Sequence, residues 1–549
     1  MESSELVGRL KTTSRSLFIQ WGARFVLSFL ALARLWLCRY CMNSDGVSYL
    51  DMGDFYWKGN WHAALNSLWS PLYGWLTGFI LLLTKPGIRW EYPEVHLLNL
   101  AIFICALAAF EFFWRELLAA NWPLAPPAAW LIGYLLFAQT HLITHPVNLE
   151  TPDLLVAALV YFVSGMIFRF LRAPLRGSAA FFWGVVMGVG YLAKAAMLPF
   201  AFVVLLVMAV VASKERRGKW LVLSTLAGVL VISLPFAAAL SWNLHRAAFS
   251  DAGWLNYGVH VNHARDRAAQ TTGREISTNP AIHEFASPVD GTYPILYNPA
   301  YWNADIDTSL HPRLQVQAIL QNLWLIVCHV FVRSGLLLTI AAMFFLGARA
   351  RPSWRSLIAA WPVLIPSLAA FLLYVLVHWE SRYTSGEMAV LWGAALTSMH
   401  FARPEQRVRA FWSISLLMGI IFAFSFAIST VKSARSLRQL EQPILVAERL
   451  HAMGLRPGDQ VALIGCGYEG YWARLDRVKI VAEMRQYLSQ EAVSSVSFWS
   501  LDAQAQGKVL QTMRETGANA VIAKPAQSLL PPGWSLVGRT GYAVYFFHP

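Results

Sequence analysis

The sequence predicts a polytopic α-helical membrane protein with a small α/β domain outside the membrane at its C-terminal end. Three observations predict it. Of the 549 residues 56% are hydrophobic and only 14% charged, with a mean hydropathy of +0.45, a composition that soluble domains do not sustain. Apolar runs of about the 20 residues that a transmembrane helix needs recur between residues 17 and 430. After Thr430 the composition turns soluble, and short apolar runs with strand spacing replace the long ones.

Charge orders the spans. The clusters Arg169/Arg172/Arg176, Lys214/Arg216/Arg217/Lys219, Arg349/Arg351/Arg355 and Arg403/Arg407/Arg409 belong on the cytoplasmic side, together with the basic N-terminus. That constraint fixes parity, and it makes Ser70 to Leu83 a helix lying along or dipping into the outer surface rather than a crossing. About eleven spans result, near residues 17–38, 95–114, 124–142, 152–170, 178–195, 197–213, 219–241, 320–347, 356–377, 385–401 and 410–430. His329 and Arg333 interrupt the eighth, whose first half has an interfacial reading beside the spanning one, and Lys432, Arg435 and Arg438 fall on the outer side against the rule. Gly184, Gly188 and Gly190 form a small-residue face that suits close helix packing. No internal repeat is visible.

A net charge of +13 would suit a nucleic-acid binder, but the basic residues sit between apolar runs and form no stripe with interleaved aromatics. The 24 tryptophans fit a protein with many headgroup boundaries. Cys105 and Cys328 lie in apolar segments and Cys466 stands alone; Cys38 and Cys41 form a CxxC that is either a disulfide or two thiols. Arg9, Lys11 and Arg15 precede an apolar run containing Ala31-Leu32-Ala33, as in a signal peptide, but Arg34 and the length of the run favour an uncleaved anchor.

In the C-terminal domain, residues 431–549, Val461–Ile464, Val478–Val481, Ala520–Ala523 and Ala543–Phe547 read as strands, with helices at Ile444–Met453 and near Lys508–Thr516. Gly465-Cys466-Gly467-Tyr468-Glu469-Gly470 follows a strand and matches GxGxxG. A nucleotide site is rejected, because too few residues remain before the next strand for a crossover helix and no acid follows at the fingerprint spacing.

The polar residues gather on one face of this topology. Outer loops span 39–94, 143–151 and 243–316. The first carries Ser44-Asp45-Gly46-Val47-Ser48-Tyr49 close behind the first span, with Asp51 and Asp54. The second carries His145 and Glu150-Thr151-Pro152-Asp153. Lys194 lies at the turn between the fifth and sixth spans, and His378-Trp379-Glu380-Ser381-Arg382-Tyr383 closes the ninth. Charges held at the hydrocarbon edge are costly, so each is a functional-site candidate. Carboxylates beside Lys and Arg at that depth suit a substrate with a lipid tail and an anionic phosphate head.

Over residues 17 to 430 the chain resembles the GT-C class of polyprenyl-phosphate-sugar-dependent glycosyltransferases, which includes protein O-mannosyltransferases and aminoarabinose transferases. The resemblance is carried by Asp45 with Tyr49, Gly59-Asn60-Trp61, Trp69-Ser70-Pro71-Leu72-Tyr73, Glu150-Thr151-Pro152, Gly188-Val189-Gly190-Tyr191-Leu192-Ala193-Lys194 and Glu380-Ser381-Arg382-Tyr383. Each motif is short; their order and common sidedness make the case. The class often has Asp-Glu where this chain has Asp45-Gly46, so the second acid is vacant or supplied by Asp51 or Asp54.

The resemblance implies inverting sugar transfer at the outer face, within a catalytic domain spanning residues 1–430. Asp45 is then the base for the acceptor hydroxyl and Glu150 a second catalytic acid that orients acceptor or sugar. Lys194 and Arg382 oppose the charge growing on the departing phosphate, and Tyr49, Tyr73, Glu380 and Tyr383 complete the substrate site. Each residue also has a structural reading: a solvated loop acid for Asp45, a helix-dipole partner for Glu150 and still more for Asp153, a snorkelling lysine for Lys194, an Arg382–Glu380 ion pair. His145 and His378 read as boundary residues, since no metal-ligand spacing surrounds them. The aromatics of Tyr293 to Trp302, in the long outer segment, either stack on a sugar or anchor a loop at the headgroups, and that segment is the candidate for acceptor selection.

The expected partners are a polyprenyl-phosphate-linked sugar, membrane lipids and an acceptor glycan, lipid or protein. No nucleic acid is expected. The sequence calls for no cofactor and leaves a divalent metal open. The expected home is the bacterial inner membrane, with the N-terminus cytoplasmic and the C-terminal domain periplasmic. The alternative is a transporter or flippase for a lipid-linked or anionic substrate, which would place charges near the midplane on broken helices rather than on one face.

Overall fold

The computed structural model describes residues 2–547 other than 122–124, 174, 214–217, 264–272, 286–289, 300, 302–305, 331–350, 402, 486–496 and 526–529. Of the sequence readings, Lys214, Arg216, Arg217, Ala300, Trp302, Arg333, Arg349, residue 124 of the third span and residues 331–347 of the eighth lie outside the described residues. Contacts divide the chain into two compact units. One comprises Met1–Leu37, Leu97–Ser250 and Leu310–Arg435; the other Cys38–His96, Asp251–Ser309 and Ser436–Pro549.

The first unit is helical. In the chain, Ser16–Leu37, Glu91–Asn121, Asp153–Arg172, Gly218–Asn243 and Pro404–Ala452 are long and apolar enough to cross a membrane, and Pro71–Thr84, Gly177–Ala193, Met197–Ala212 and Trp361–Val375 are shorter apolar helices. Glycines set one crossing: a Cβ on Gly184 would overlap the Thr225 carbonyl oxygen, and one on Gly188 would come within 2.7 Å of Ile232. Gly190 faces Met197 instead, so two of the three predicted small residues form the contact with Gly218–Asn243. A polar tie holds three helices together, with Glu111 accepting from Arg24 at 2.8 and 2.7 Å and from the Tyr134 hydroxyl at 2.7 Å.

Three helices depart from the predicted spans. Pro127–Ala138 passes into a π-helical turn at Gln139–Thr144. The ninth span is broken into Trp354–Ala359 and Trp361–Val375, with Pro362 in the first turn of the second piece, where its missing N–H costs nothing. The eleventh continues as one helix of 49 residues, Pro404–Ala452, which absorbs Lys432, Arg435, Arg438 and the helix expected at Ile444–Met453. The boundary drawn from composition at residue 430 thus falls inside a continuous helix.

The second unit is built on a seven-stranded sheet in the order Arg274–Thr278, Ala281–Glu284, Lys479–Arg485, Gln460–Gly465, Ala520–Ala523, Ala543–Phe546, Trp534–Leu536. Gln460–Gly465 lies parallel to both of its neighbours and reads Val-Ala-Leu-Ile through its centre, all four buried, the pattern of a strand covered on both faces. The first two strands come from residues 243–316, the segment read as a long outer loop. They form a hairpin whose inner strand pairs His283 with Glu483 and Glu284 with Ala482, antiparallel. Helix Ala503–Glu515 starts at an Asp502 cap, whose carboxylate accepts from the Ala505 N–H at 2.8 Å, and buries Val509 and Met513 one turn apart.

Two longer helices of this unit come from the segment read as the first outer loop, residues 39–94. The segment read as an acidic loop is instead the first turn of helix Ser44–Trp57. Asn43 caps it, its side-chain oxygen accepting from the Gly46 N–H at 2.6 Å, which supplies one of the partners that a helix start lacks. Helix Pro71–Thr84 crosses it where Gly53, Gly74 and Gly78 meet: a Cβ on Gly53 would come within 2.6 Å of the Gly74 carbonyl and 2.9 Å of the Gly78 backbone. Cys38 and Cys41 are two thiols rather than a disulfide.

Candidate functional site

In the helical unit, helix ends bring four charged side chains together. Helix Asp153–Arg172 begins directly after Pro152, and the positive end of its dipole favours an acid at that first position. Helix Gly177–Ala193 ends where Lys194 turns extended. Between Val375 and Ser385 the chain is fixed by Trp379, whose backbone N–H donates to the Asn322 side chain at 3.1 Å and whose indole N–H donates to the Thr384 hydroxyl at 2.9 Å.

The outcome is a chain of charge pairs. Lys194 Nζ donates to Asp153 Oδ1 at 2.6 Å, and Arg382 Nη1 lies 3.8 Å from Oδ2, which also accepts from the Thr151 hydroxyl at 2.9 Å. Arg382 Nε donates to Glu380 Oε2 at 2.6 Å, and His378 Nε2 lies 3.2 Å from Oε1. Burial would raise the Glu380 pKa, but the His378 hydrogen bond and the Arg382 charge outweigh it and bring it down to about 2. The Tyr383 ring completes the group. Lys194 Nζ is 3.8 Å from its centroid and the Arg382 guanidinium 5.0 Å, while Tyr374 stacks on it with centroids 5.1 Å apart.

Exposure grades this cluster. The Asp153 side chain is 3% exposed, Lys194 23%, Arg382 21% and Glu380 40%. The anion therefore orders two cations from inside while both cations reach the surface. A fixed Arg fork and a Lys point charge side by side can grip a phosphate.

In the sheet unit, Asp45 stands in the first turn of helix Ser44–Trp57, half-buried, where the dipole again favours an acid. Tyr49, one turn on, is buried edge-on against Trp69 and Tyr73, each with centroids 5.3 Å away. Tyr73 is fully buried. These rings pack the helix that carries Asp45. Asp51 and Asp54, the two candidates for a second acid, are both taken by Arg474, at 2.9 and 3.0 Å.

The eight residues singled out in the sequence divide between the units. Asp45, Tyr49 and Tyr73 belong to the sheet unit. Glu150, Lys194, Glu380, Arg382 and Tyr383 belong to the helical unit, where the last four are drawn together and Glu150 is buried three residues ahead of Asp153. The sequence reading missed the role of Asp153, which it took for a dipole partner alone; it is that and the shared counterion of Lys194 and Arg382. The signal was an acid at the first position of an apolar span, on the same face as the two cations. His378 does more than mark a boundary, being bound to Glu380. His145 is buried, which lowers its pKa to about 4 and keeps it neutral. Among the described residues no three His, Cys, Asp or Glu side chains are grouped to hold a metal ion.

No family model and no curated protein sequence matches this chain. Solved structures do. ArnT from Cupriavidus metallidurans bound to undecaprenyl phosphate aligns with a TM-score of 0.53 at 14% identity, covering 95% of this chain and 97% of that one. The apo state of the same protein gives 0.52 at 15% identity over the same shares. The apo oligosaccharyltransferase of Archaeoglobus fulgidus gives 0.50 at 13% identity, covering 93% of this chain and 70% of that one. These neighbours are GT-C glycosyltransferases, and this chain has their fold.

Proposed function

We propose that the protein is an integral-membrane glycosyltransferase that moves a sugar from a polyprenyl-phosphate donor to a lipid, glycan or protein acceptor at the outer face of the membrane. One observation carries the reading: in a chain of this fold, Lys194 and Arg382 stand together at the ends of apolar helices on the buried carboxylate of Asp153. The ArnT neighbour was crystallised with undecaprenyl phosphate, an anion on a lipid tail, the kind of head that such a cation pair suits.

In the reaction the bond between the anomeric carbon and the phosphate oxygen breaks, and the acceptor oxygen bonds to that carbon from the opposite face. The configuration inverts. Asp45 takes the proton of the acceptor hydroxyl, a task for a carboxylate within hydrogen-bond reach. The electron pair of the broken bond stays on the polyprenyl phosphate, where Lys194 and Arg382 oppose the new charge more strongly in the transition state than before it. Glu380 is the competitor that the phosphate displaces from Arg382, and Tyr383 holds the Lys194 ammonium from beneath. Glu150 orients acceptor or sugar hydroxyls, and Tyr49 and Tyr73 seat the helix of Asp45. The N-terminus is then cytoplasmic and the sheet unit extracytoplasmic, in a bacterial inner membrane.

The test is transfer of labelled sugar from a panel of polyprenyl-phosphate sugars to membrane extracts by purified wild type, Asp45→Asn and Lys194→Ala. Wild type should transfer, and Asp45→Asn should lose about 10²- to 10⁴-fold, the usual contribution of a positioned base. Equal transfer by wild type and Asp45→Asn would remove Asp45 from the mechanism. Movement of donor between leaflets without transfer would replace the enzyme by a transporter.

A further inference from the structure

We propose that the C-terminal part of the chain is the positioning element for the helix that carries Asp45, with Arg474 as its contact. The catalytic consequence rests on the function proposed above; the mechanical one does not.

Arg474 lies in the short helix Tyr471–Leu475, between two strands of the sheet, and its side chain is 3% exposed. Its guanidinium joins three carboxylates. Nη1 donates to Asp51 Oδ1 at 2.9 Å and to Asp54 Oδ2 at 3.0 Å, and Nε donates to Glu91 Oε1 at 2.8 Å. Arg477 adds a second bond to Glu91, at 2.6 Å, and pairs with Asp54. From the long outer segment Thr292 closes the remaining side of Asp51, its N–H donating at 2.7 Å and its hydroxyl at 2.9 Å. Asp51 and Asp54 are three residues apart on one helix face, so Nη1 reaches both while Nε holds Glu91. A Lys point charge has no second nitrogen to span that distance.

This arrangement fixes more than stability. A buried ion group is weak evidence for stability, because well-packed apolar residues often serve as well; its better attested use is to specify one arrangement of the elements that it joins. The joined element here is a helix with little room to settle otherwise, since Gly53 is pressed against Gly74 and Gly78. Asp45 stands six residues before Asp51 on that helix, about 9 Å along its axis at 1.5 Å per residue. A shift or roll of the helix therefore moves Asp45 with it. Further ties run the same way: the Tyr92 hydroxyl donates to the Tyr471 carbonyl at 2.8 Å, and Arg89 bonds Glu441 at 3.0 Å and Glu448 at 3.0 and 2.8 Å. Arg474 is thus a positioning residue, acting on the reaction through Asp45.

The experiment compares full-length wild type, Arg474→Lys and Arg477→Gln by amide hydrogen exchange and by donor-dependent transfer kinetics. Arg477 is 29% exposed, so its variant serves if Arg474→Lys fails to fold. The expected result is exchange in Ser44–Trp57 faster by about tenfold or more while Gln460–Gly465 and Ala520–Ala523 stay within about twofold, local opening without global loss. In the same variants kcat should fall by about tenfold with KM for the donor held within about threefold, the pattern of lost transition-state geometry. Unchanged exchange in Ser44–Trp57 in a folded variant would overturn the positioning role, as would a loosened helix with kcat intact. If wild type transfers no sugar, the proposed function fails, and exchange alone still decides whether Arg474 holds the helix.

Discussion

Lys194 and Asp153 meet at 2.6 Å with the carboxylate buried and the ammonium partly exposed. The pair therefore presents a cation outward and keeps its counterion within. Asp153→Asn retains size and a hydrogen-bond acceptor but leaves Lys194 and Arg382 without their inner anion. Free polyprenyl phosphate should then bind the variant several-fold more tightly, and turnover should fall by about tenfold as the cations lose their fixed positions and product leaves slowly. Product-inhibition constants measured beside kcat check this; weaker phosphate binding with unchanged kcat would contradict it.

Glu380 occupies the outer side of Arg382, and removing its charge should act in the opposite place. Glu380→Gln keeps a side-chain oxygen for Arg382 and no longer repels the phosphate. The expected outcome is a donor KM lower by about two- to fivefold with kcat little changed, a change in uniform binding. A steady-state comparison with wild type at pH 7 measures it.

At Gly467 a substitution separates packing from motif. A Cβ there would lie 2.3 Å from the Tyr293 ring, whose hydroxyl donates to Glu483 at 2.7 Å. Gly467→Ala should destabilise the protein by about 1 to 3 kcal/mol through overpacking. Gly507, inside helix Ala503–Glu515, has open space at its Cβ position, so Gly507→Ala should stabilise by about 0.4 to 1 kcal/mol. Thermal unfolding of both variants gives the two signs.

Acid should act on the sheet unit through Asp54. Burial alone would raise its pKa, but the Arg474 and Arg477 charges overcome that and hold it well below the usual carboxylate range. A depressed folded pKa means stability that is present above the unfolded value, about 4, and is lost as pH falls towards the folded one. The unfolding temperature of wild type should therefore drop more steeply below about pH 4 than that of Asp54→Asn, which has no proton to take up there. Parallel curves from pH 7 to pH 3 would remove Asp54 from the acid response.

Much of the fold was legible because apolar spacing is a local property. The strands at Val461, Val478, Ala520 and Ala543 and a helix at each predicted span among the described residues follow from runs of ten to twenty residues. The hairpin Arg274–Glu284 was not, since an exposed edge hairpin carries little periodicity and owes its place to Glu483, some two hundred residues later. The site divides in the same manner. Lys194, Glu380, Arg382 and Tyr383 could be grouped by sidedness, but Asp153 was masked by its other role at a helix start. Arg474 was invisible because nothing local marks an arginine whose partners are Asp51 and Glu91. The GxGxxG match, rejected as a nucleotide site, has a packing explanation that the sequence did not offer: Gly467 is small to admit Tyr293, a close approach by the chain's own side chain in place of a pyrophosphate.

The bond between Asp51 and Arg474 joins residues 423 positions apart. During synthesis at about 5 to 20 residues per second, the acidic helix waits roughly 20 to 85 s before its guanidinium has been made. Until then its carboxylates lack the guanidinium that joins them in the finished fold, and the helix is held by its glycine contact with Pro71–Thr84. A chain truncated before residue 474 therefore keeps the crossing of Gly53 with Gly74 and Gly78 and the Lys194–Asp153 pair, but loses the guanidinium that joins Asp51, Asp54 and Glu91.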